Sequence, residues 1–384
     1  MDEIRLIELY IHIPFCVRKC LYCDFLSAPA SENERKSYVR KLIEEIRVQG
    51  EYYRDCRVTS IYLGGGTPSV LNGVQIASIL SAVYENFAVM SDAEISMECN
   101  PGTLTSHKLE ICREAGVNRL SIGLQSADNT LLQTLGRIHT YEDFLQSYEY
   151  AISAGFKNIN VDLMAGIPGQ SLQAYQNTLR NVIMLRPQHI SAYSLIIEEG
   201  TPFFYLNQSQ GWRSTLPDED AEREMYHETN RLLTQAGFER YEISNYAKPG
   251  FQCRHNIGYW TGTEYLGFGL GAAGYMMHRR FHVEKDLKKY MELDFASDLT
   301  GLYQEEEHLS FSELMSEFMI LGLRMTEGVS GAEFLKRFGR NMYDVYRTQI
   351  DTHVADGLLT FEPPVLKLTE KGLDLANVVM RDFI

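Results

Sequence analysis

The chain is 384 residues long, 45% hydrophobic and 23% charged, with a formal charge of −15 at pH 7, ordinary values for a soluble globular protein with a large core and room for a second, smaller domain. The acidic balance argues against broad nucleic-acid binding, which depends on Lys and Arg meeting phosphates. No stretch approaches the roughly 20 apolar residues of a membrane-spanning helix, and "MDEIRLIELY" carries acids where a secretory leader carries bases. A cytoplasmic location is expected, with peripheral membrane contact left open.

The first expected strand, "LIELYIHI" (6–13), runs into "PFCVRKCLYCDF", which sets Cys16, Cys20 and Cys23 close together. Cys56, Cys99, Cys112 and Cys253 are scattered, and an odd total of seven does not look like a disulfide framework. Clustered thiols in a reducing compartment more often bind metal or do redox chemistry. Three soft thiolates at x3 and x2 spacings suit an iron–sulfur cluster or zinc. A structural zinc site closes with four ligands, and no second CxxC or His pair is visible. A [4Fe–4S] cube also normally takes four thiolates, so three leave one iron open to a small chelating molecule. On the residues alone, cluster and zinc stay evenly matched.

Farther along, β-rich runs at 58–64, 93–99, 119–125, 158–167 and 189–197 alternate with helical patterns, such as Tyr38, Val39, Leu42, Ile43 and Ile46. Gly116, Gly155 and Gly237 read as helix stops. Strand–helix repetition predicts a parallel sheet with right-handed crossovers. Six units are too few for an eight-fold barrel, and the first turn holds cysteines where a Rossmann sheet holds glycines. The expectation is an α/β fold, an open (β/α)6 partial TIM barrel over 1–237, with its chemistry at the carboxyl ends of the strands. There the second strand leaves through Gly65, Gly66 and Thr67 of "LGGGTPS", glycines that let backbone approach a ligand. The third ends in "ECNPG" with Glu98. The fourth supplies Gln125, with Arg137 following, and the fifth carries Asp162 beside apolar residues such as Met164. Singly, each polar residue reads as a loop cap. Together they surround one nucleotide-like molecule, with Tyr10 as a further wall.

A Tyr- and Gly-rich extension (238–304) follows, with no clear helix. Helical segments at 312–325 and 331–349, a β-ribbon around "GLLTFEPPVLKLTEKG" and a last helix then suggest a small, mostly helical, winged-helix-like domain over 305–384. It lacks a basic recognition stripe, so a lid or partner surface is favoured over a DNA reader.

The CxxxCxxC trio, with Tyr22 before its last cysteine, closely resembles the signature of radical S-adenosylmethionine (SAM) proteins. The resemblance implies a [4Fe–4S] cluster on Cys16, Cys20 and Cys23, SAM on the fourth iron, and a single-electron donor. It also implies a SAM pocket built from Tyr10, Tyr22, Gly65, Gly66, Thr67, Glu98, Gln125, Arg137, Asp162 and Met164. The run from "IHIPFC" through "DLMAGIPGQ", with the C-terminal region, looks like the coproporphyrinogen-oxidase group along nearly the whole chain. That group's oxygen-independent oxidases, which turn coproporphyrinogen III into protoporphyrinogen IX, carry a fourth cysteine two residues after the third and an N-terminal extension. Here Phe25 holds that position and Tyr10 already lies in the first strand.

The group's heme chaperones match better, through CxxxCxxCxF and an HNxxYW motif present as His255, Asn256, Tyr259 and Trp260. The resemblance implies that His255 ligates heme iron, with Cys253 as an alternative, and that heme passes to an acceptor hemoprotein. Imidazole is a ready axial ligand and aromatics pack on a flat macrocycle. Read without the resemblance, His255 and Asn256 more simply satisfy backbone groups in an aromatic loop. Whether the chain also turns over a substrate is open. His12, His139 and His189 read as structural.

Overall fold

The computed structural model describes residues 4–295, 299 and 301–384. β1 (Leu6–Ile13), β2 (Arg57–Gly65), β3 (Ala88–Cys99), β4 (Arg119–Gln125), β5 (Ile159–Ala165) and β6 (His189–Ser194) lie side by side in chain order, each pair parallel. Side chains alternate along them as a pleat requires. On β1, Ile7, Leu9, Ile11 and Ile13 are fully buried and join the core with Leu42 and Ile46 of the helix Glu32–Tyr52. Each such side chain withdrawn from water is worth about 1.5–3 kcal/mol. The opposite face of the strands is polar and turns into the lumen. There Arg119 donates to Ser96, Asn160 to Ser121, and Tyr62 to Glu98.

The crossover helices Glu32–Tyr52, Gly73–Asn86 and Tyr141–Ser153 each begin with a reciprocal capping box, at Ser31/Glu34, Asn72/Gln75 and Thr140/Asp143. Gly116 and Gly155 close their helices at φ +109° and +86°, as the glycine stops require. The result is the open (β/α)6 partial barrel, and among the described residues its sheet grows past six strands at both edges. β7 (Glu239–Arg240) and β8 (Asn245–Ala247) add antiparallel beyond β6. β9 (Glu264–Phe268) lies parallel beside β1, followed by the hairpin of β10 (Ala273–Met276) and β11 (Arg279–Val283) and by β12 (Tyr303–His308).

The extension is therefore more regular than its composition predicts, and it contains a helix, Arg254–Thr261, where none was expected. The helix is too short to persist on propensity and is held by its surroundings. Glu94 on β3 accepts from the backbone N–H of Arg254 and His255, at 3.1 and 3.3 Å, and Gly262 caps the other end at φ +70°. Gly258 faces Glu8 so closely that a Cβ would sit 2.2 Å from its Oε1.

The C-terminal region has its own core, in which Met319, Phe334, Ile350, Leu366 and Val379 are buried together. Its longer helices are Phe311–Gly322, Gly331–Phe338 and Met342–Ala355, and its three-stranded sheet runs β13 (Val329–Ser330), β15 (Val365–Leu368), β14 (Leu359–Glu362). The single helix expected over 331–349 is two, broken at Gly339 with φ +63°. Three longer helices with a small antiparallel wing make the unit winged-helix-like, and the last helix expected is two short ones, Glu370–Asp374 and Ala376–Arg381. Among the described residues no helix is long and apolar enough to cross a membrane.

Candidate cofactor site

The loop after β1 is pinned before any cofactor is considered. Cys16 N–H donates to Ala28 O (3.1 Å), Leu21 N–H to Leu135 O (3.0 Å), and Arg18 Nη2 to Gly136 O (2.7 Å). Cys16, Cys20 and Cys23 are each half-buried and line one cavity of about 420 Å³ at the carboxyl ends of the strands. Tyr22, Gly65, Gly66 and Thr67 line it too, as do Glu98, Gln125, Arg137, Asp162 and Met164. Tyr10 stands behind this wall, with its hydroxyl 3.1 Å from His12 Nδ1 and its ring stacked on Tyr62 at 6.3 Å.

Charge is arranged in two layers. Near the thiols, Arg137 Nη1 donates to Asn100 Oδ1 (2.7 Å), Asn100 Nδ2 donates to Thr67 Oγ1 (2.7 Å), and Thr67 Oγ1 lies 3.4 Å from Cys16 Sγ. Deeper, Glu98 accepts from Tyr62 OH (3.0 Å) and Gly65 N–H (3.2 Å). Burial, and then the Asp162 carboxylate, push the Glu98 carboxyl up to about 7. Burial also raises Asp162, against the hydrogen bond it accepts from Asn160 Nδ2 (2.7 Å). Gln125 holds φ +72° and accepts from Tyr193 OH (3.0 Å). A non-glycine residue in that region is held by its surroundings at a cost of order 1 kcal/mol or more, and such residues cluster at functional sites.

The glycine loop has a second explanation. A Cβ on Gly66 would meet Phe15 O at 2.7 Å, and one on Gly65 would meet the His12 ring at 2.6 Å. The chain's own packing, before any ligand, demands these glycines. Asn100, Ser121, Tyr62 and Tyr193 also line the cavity and were missed in the sequence. Asn100 sits two positions after Glu98 in "ECNPG" and was the most legible of them.

Three thiols lining one cavity are a donor set that a [4Fe–4S] cube can take. A cube takes one thiolate per iron and so asks for thiols spread around a cavity. Burial pushes the Cys23 thiol up to about 11, and a bound metal is what would deprotonate it.

The HNIGYW residues do not converge on one cavity. His255 is fully buried, with Nδ1 2.8 Å from Ser60 Oγ and Nε2 2.9 Å from Tyr259 OH. Its ring stacks on Tyr62 at 5.1 Å, and burial holds it neutral, with its pKa down to about 3. Cys253 is buried against Glu94 at 3.4 Å. Neither presents a free ligating atom. Instead they plug the amino end of the lumen. Asn256 lines a small space of about 190 Å³ that shares Tyr62, Ser121, Asp162 and Tyr193 with the cofactor cavity. Tyr259 and Trp260 face elsewhere, into a cleft of about 520 Å³ against the C-terminal helices.

Residues 10–182 match the model of the Radical SAM superfamily, and residues 309–375 that of the HemN C-terminal domain. The heme chaperone HemW of Escherichia coli (strain K12) is 37% identical to this chain over 387 residues, covering 100% of both. The chain belongs to the heme chaperone HemW family. HemW of Bacillus subtilis (strain 168) is 35% identical over 98% of each chain. HemW of Mycobacterium tuberculosis (strain ATCC 25618 / H37Rv) is 33% identical over 98% of this chain and 94% of its own. Among solved structures, coproporphyrinogen III oxidase (HemN) from Escherichia coli, a radical SAM enzyme, superposes with a TM-score of 0.85 at 24% identity. That match covers 99% of this chain and 90% of that one. At that identity the HemW-family chain shares the HemN fold, and the likeness goes no further.

Proposed function

We propose that this chain is a cytoplasmic heme chaperone that binds a [4Fe–4S] cluster, SAM and heme, and delivers heme to acceptor hemoproteins such as respiratory enzymes. The observation that carries the reading is the end-to-end identity with HemW proteins, at 37% over both full lengths. Phe25, 62% exposed at the mouth of the cofactor cavity, supports it, since the resemblance to the oxidases predicts a cysteine there.

In this reading the core (1–237) holds the cluster on Cys16, Cys20 and Cys23. When bound, cluster and SAM supply one-electron reductive chemistry, with the electron drawn from an external donor. The residues of the chain orient and shield. Arg137, Asn100 and Thr67 fix the wall beside Cys16, while Glu98 and Asp162 would accept hydrogen bonds from the ribose hydroxyls or the adenine amine of SAM. The extension (238–304) contributes Tyr259 and Trp260 to heme, and the C-terminal unit (305–384) closes over them. The test is anaerobic reconstitution with iron and sulfide, followed by paired assays. Stoichiometric heme binding without turnover of coproporphyrinogen in the presence of SAM and reductant is expected. Protein that binds no heme, or that forms protoporphyrinogen rapidly, overturns the assignment.

A further inference from the structure

The HNIGYW motif points to heme, yet its imidazole is sealed in the lumen with both ring nitrogens engaged. The two motif residues that reach a cavity, Tyr259 and Trp260, face the cleft between the β10–β11 hairpin and the C-terminal helices Phe311–Gly322 and Gly331–Phe338. That cleft is about 520 Å³, within the range of small-molecule and cofactor sites. Its far wall is an aromatic cluster in which Phe318 and Phe311 both stack edge-on against Phe338, at 5.6 and 5.5 Å. Trp260 Nε1 is buried there without a hydrogen-bond partner, and its ring lies 4.2 Å below the Arg324 guanidinium.

Two features make the cleft more than an apolar gap. The first is charge. Arg280 and Arg337 stand at its lining, both exposed, beside Glu264 and Glu317. Arg280 is held by Glu317 at 2.7 Å, and Arg337 by Glu333 at 3.0 Å, over the Phe318 ring. Apolar walls with a guanidinium pair match a flat apolar disc that carries two carboxylates on one edge, its carboxylates taking the places of Glu317 and Glu333 on the two exposed guanidinium groups.

The second is His278, which lines the cleft from the tip of the β10–β11 hairpin. Met277 and His278 form a two-residue turn with φ +52° and +60°. Turns of this kind are ordinarily filled by Asn-Gly or Gly-Gly, because both positions lie in the left-handed region. Keeping Met and His there strains the backbone, and such strain persists where surrounding structure enforces it. The enforcing bonds are Met277 N–H to Glu264 Oε1 (2.5 Å) and Leu309 N–H to His278 O (2.9 Å). Among the described residues the His278 ring has no hydrogen-bond partner, so a nitrogen is free to ligate.

We propose that heme sits in this cleft with His278 as its axial iron ligand, its propionates on Arg280 and Arg337, and its ring against Tyr259, Trp260 and Phe318. His255 is then a positioning residue, locking Tyr259 through the Nε2–hydroxyl bond. The inference rests on the reading that this chain carries heme, and it moves the iron ligand from the motif histidine to a hairpin tip outside the motif.

The test is titration of the full-length protein with hemin and, in parallel, with metal-free protoporphyrin IX and hemin dimethyl ester, read by absorbance and electron paramagnetic resonance. His278→Ala should lose the imidazole-ligated spectrum and weaken hemin about tenfold or more, while its affinity for protoporphyrin IX stays within about twofold. Arg280→Ala/Arg337→Ala should weaken hemin and protoporphyrin IX but not the dimethyl ester. His255→Gln should keep the wild-type ligation spectrum even where affinity falls. Both His278 and Phe311 are exposed, so His278→Ala and Phe311→Ala should fold normally, and Phe311→Ala should weaken both porphyrins. If wild-type binds no hemin, the functional reading itself falls. If it binds hemin and His278→Ala leaves spectrum and affinity unchanged, or His255→Gln alone abolishes the ligation signal, the reading stands and this inference is wrong.

Discussion

Glu8→Gln should stabilise the protein at neutral pH. Glu8 lies on the lumen face of β1, 3% exposed, with Oε2 buried and without a hydrogen-bond partner. Burial dominates its ionisation, and the Glu94 carboxylate adds to it. Together they outweigh the Ser60 hydroxyl and the Arg254 guanidinium and raise its pKa from 4.5 to about 8. His255 Nδ1 approaches Oε2 at 3.6 Å, but this is no ion pair, since burial keeps the imidazole neutral down to about 3. A carboxyl with a raised folded pKa contributes fully below its unfolded value, near 4.5. Its contribution is lost as pH climbs from there through about 8, because the unfolded chain ionises first. Each pH unit in that window costs about 1.4 kcal/mol, so by pH 7 the deficit is on the order of 3 kcal/mol. Glutamine copies the neutral form and removes the deficit. Urea unfolding at pH 5 and pH 7 should show wild type losing stability across the interval and Glu8→Gln losing about 2.5 kcal/mol less. Glu45 and Glu98 titrate in the same direction in both proteins and cancel in the comparison. Parallel pH profiles for the two proteins would refute the claim that Glu8 is protonated in the fold.

The remaining predictions concern the cofactor site and the C-terminal unit. Cys20→Ala should abolish the brown chromophore on reconstitution yet leave hemin titration intact, as checked by iron and sulfide analysis beside absorbance. Arg137→Met severs the chain through Asn100 and Thr67 to Cys16; SAM affinity of the reconstituted protein should fall about tenfold by calorimetry, the scale of one lost charge-assisted bond, with the cluster spectrum retained. Phe334→Ala empties the centre of the C-terminal core, where the ring is fully buried. It should cost about 3–5 kcal/mol, and hydrogen exchange should show 311–383 opening while β1–β6 stay protected.

The six core strands were readable because their apolar residues recur with a period of two and their loops carry chemistry. β1 and β4 fall on the residues expected, 6–13 and 119–125. β3 begins at Ala88, ahead of the expected 93, because 88–92 (Ala-Val-Met-Ser-Asp) has no fully buried position and no alternation of apolar and polar residues to mark a strand. The cofactor cavity was legible for the same reason as the strands: its residues sit at strand ends, and order in the chain maps onto order around the barrel. The helix Arg254–Thr261 was not, since it owes its existence to Glu94, some 160 positions away. His255 shows the limit most clearly. The motif announces an imidazole, and only the fold reveals that Ser60 and Tyr259 already occupy both of its nitrogens.

One pairing in the sheet has a consequence for how the molecule is made. Ile7 of β1 aligns with Glu264 of β9, so β1 waits for a strand made far later in the chain to complete its flank. Contacts this distant in sequence are slow to form. Until synthesis passes Phe268, the strand that leads into the cysteines offers an open edge to any passing chain. Products truncated before that point should aggregate through it, and cotranslational protection of the N-terminal third becomes part of what the protein requires to mature.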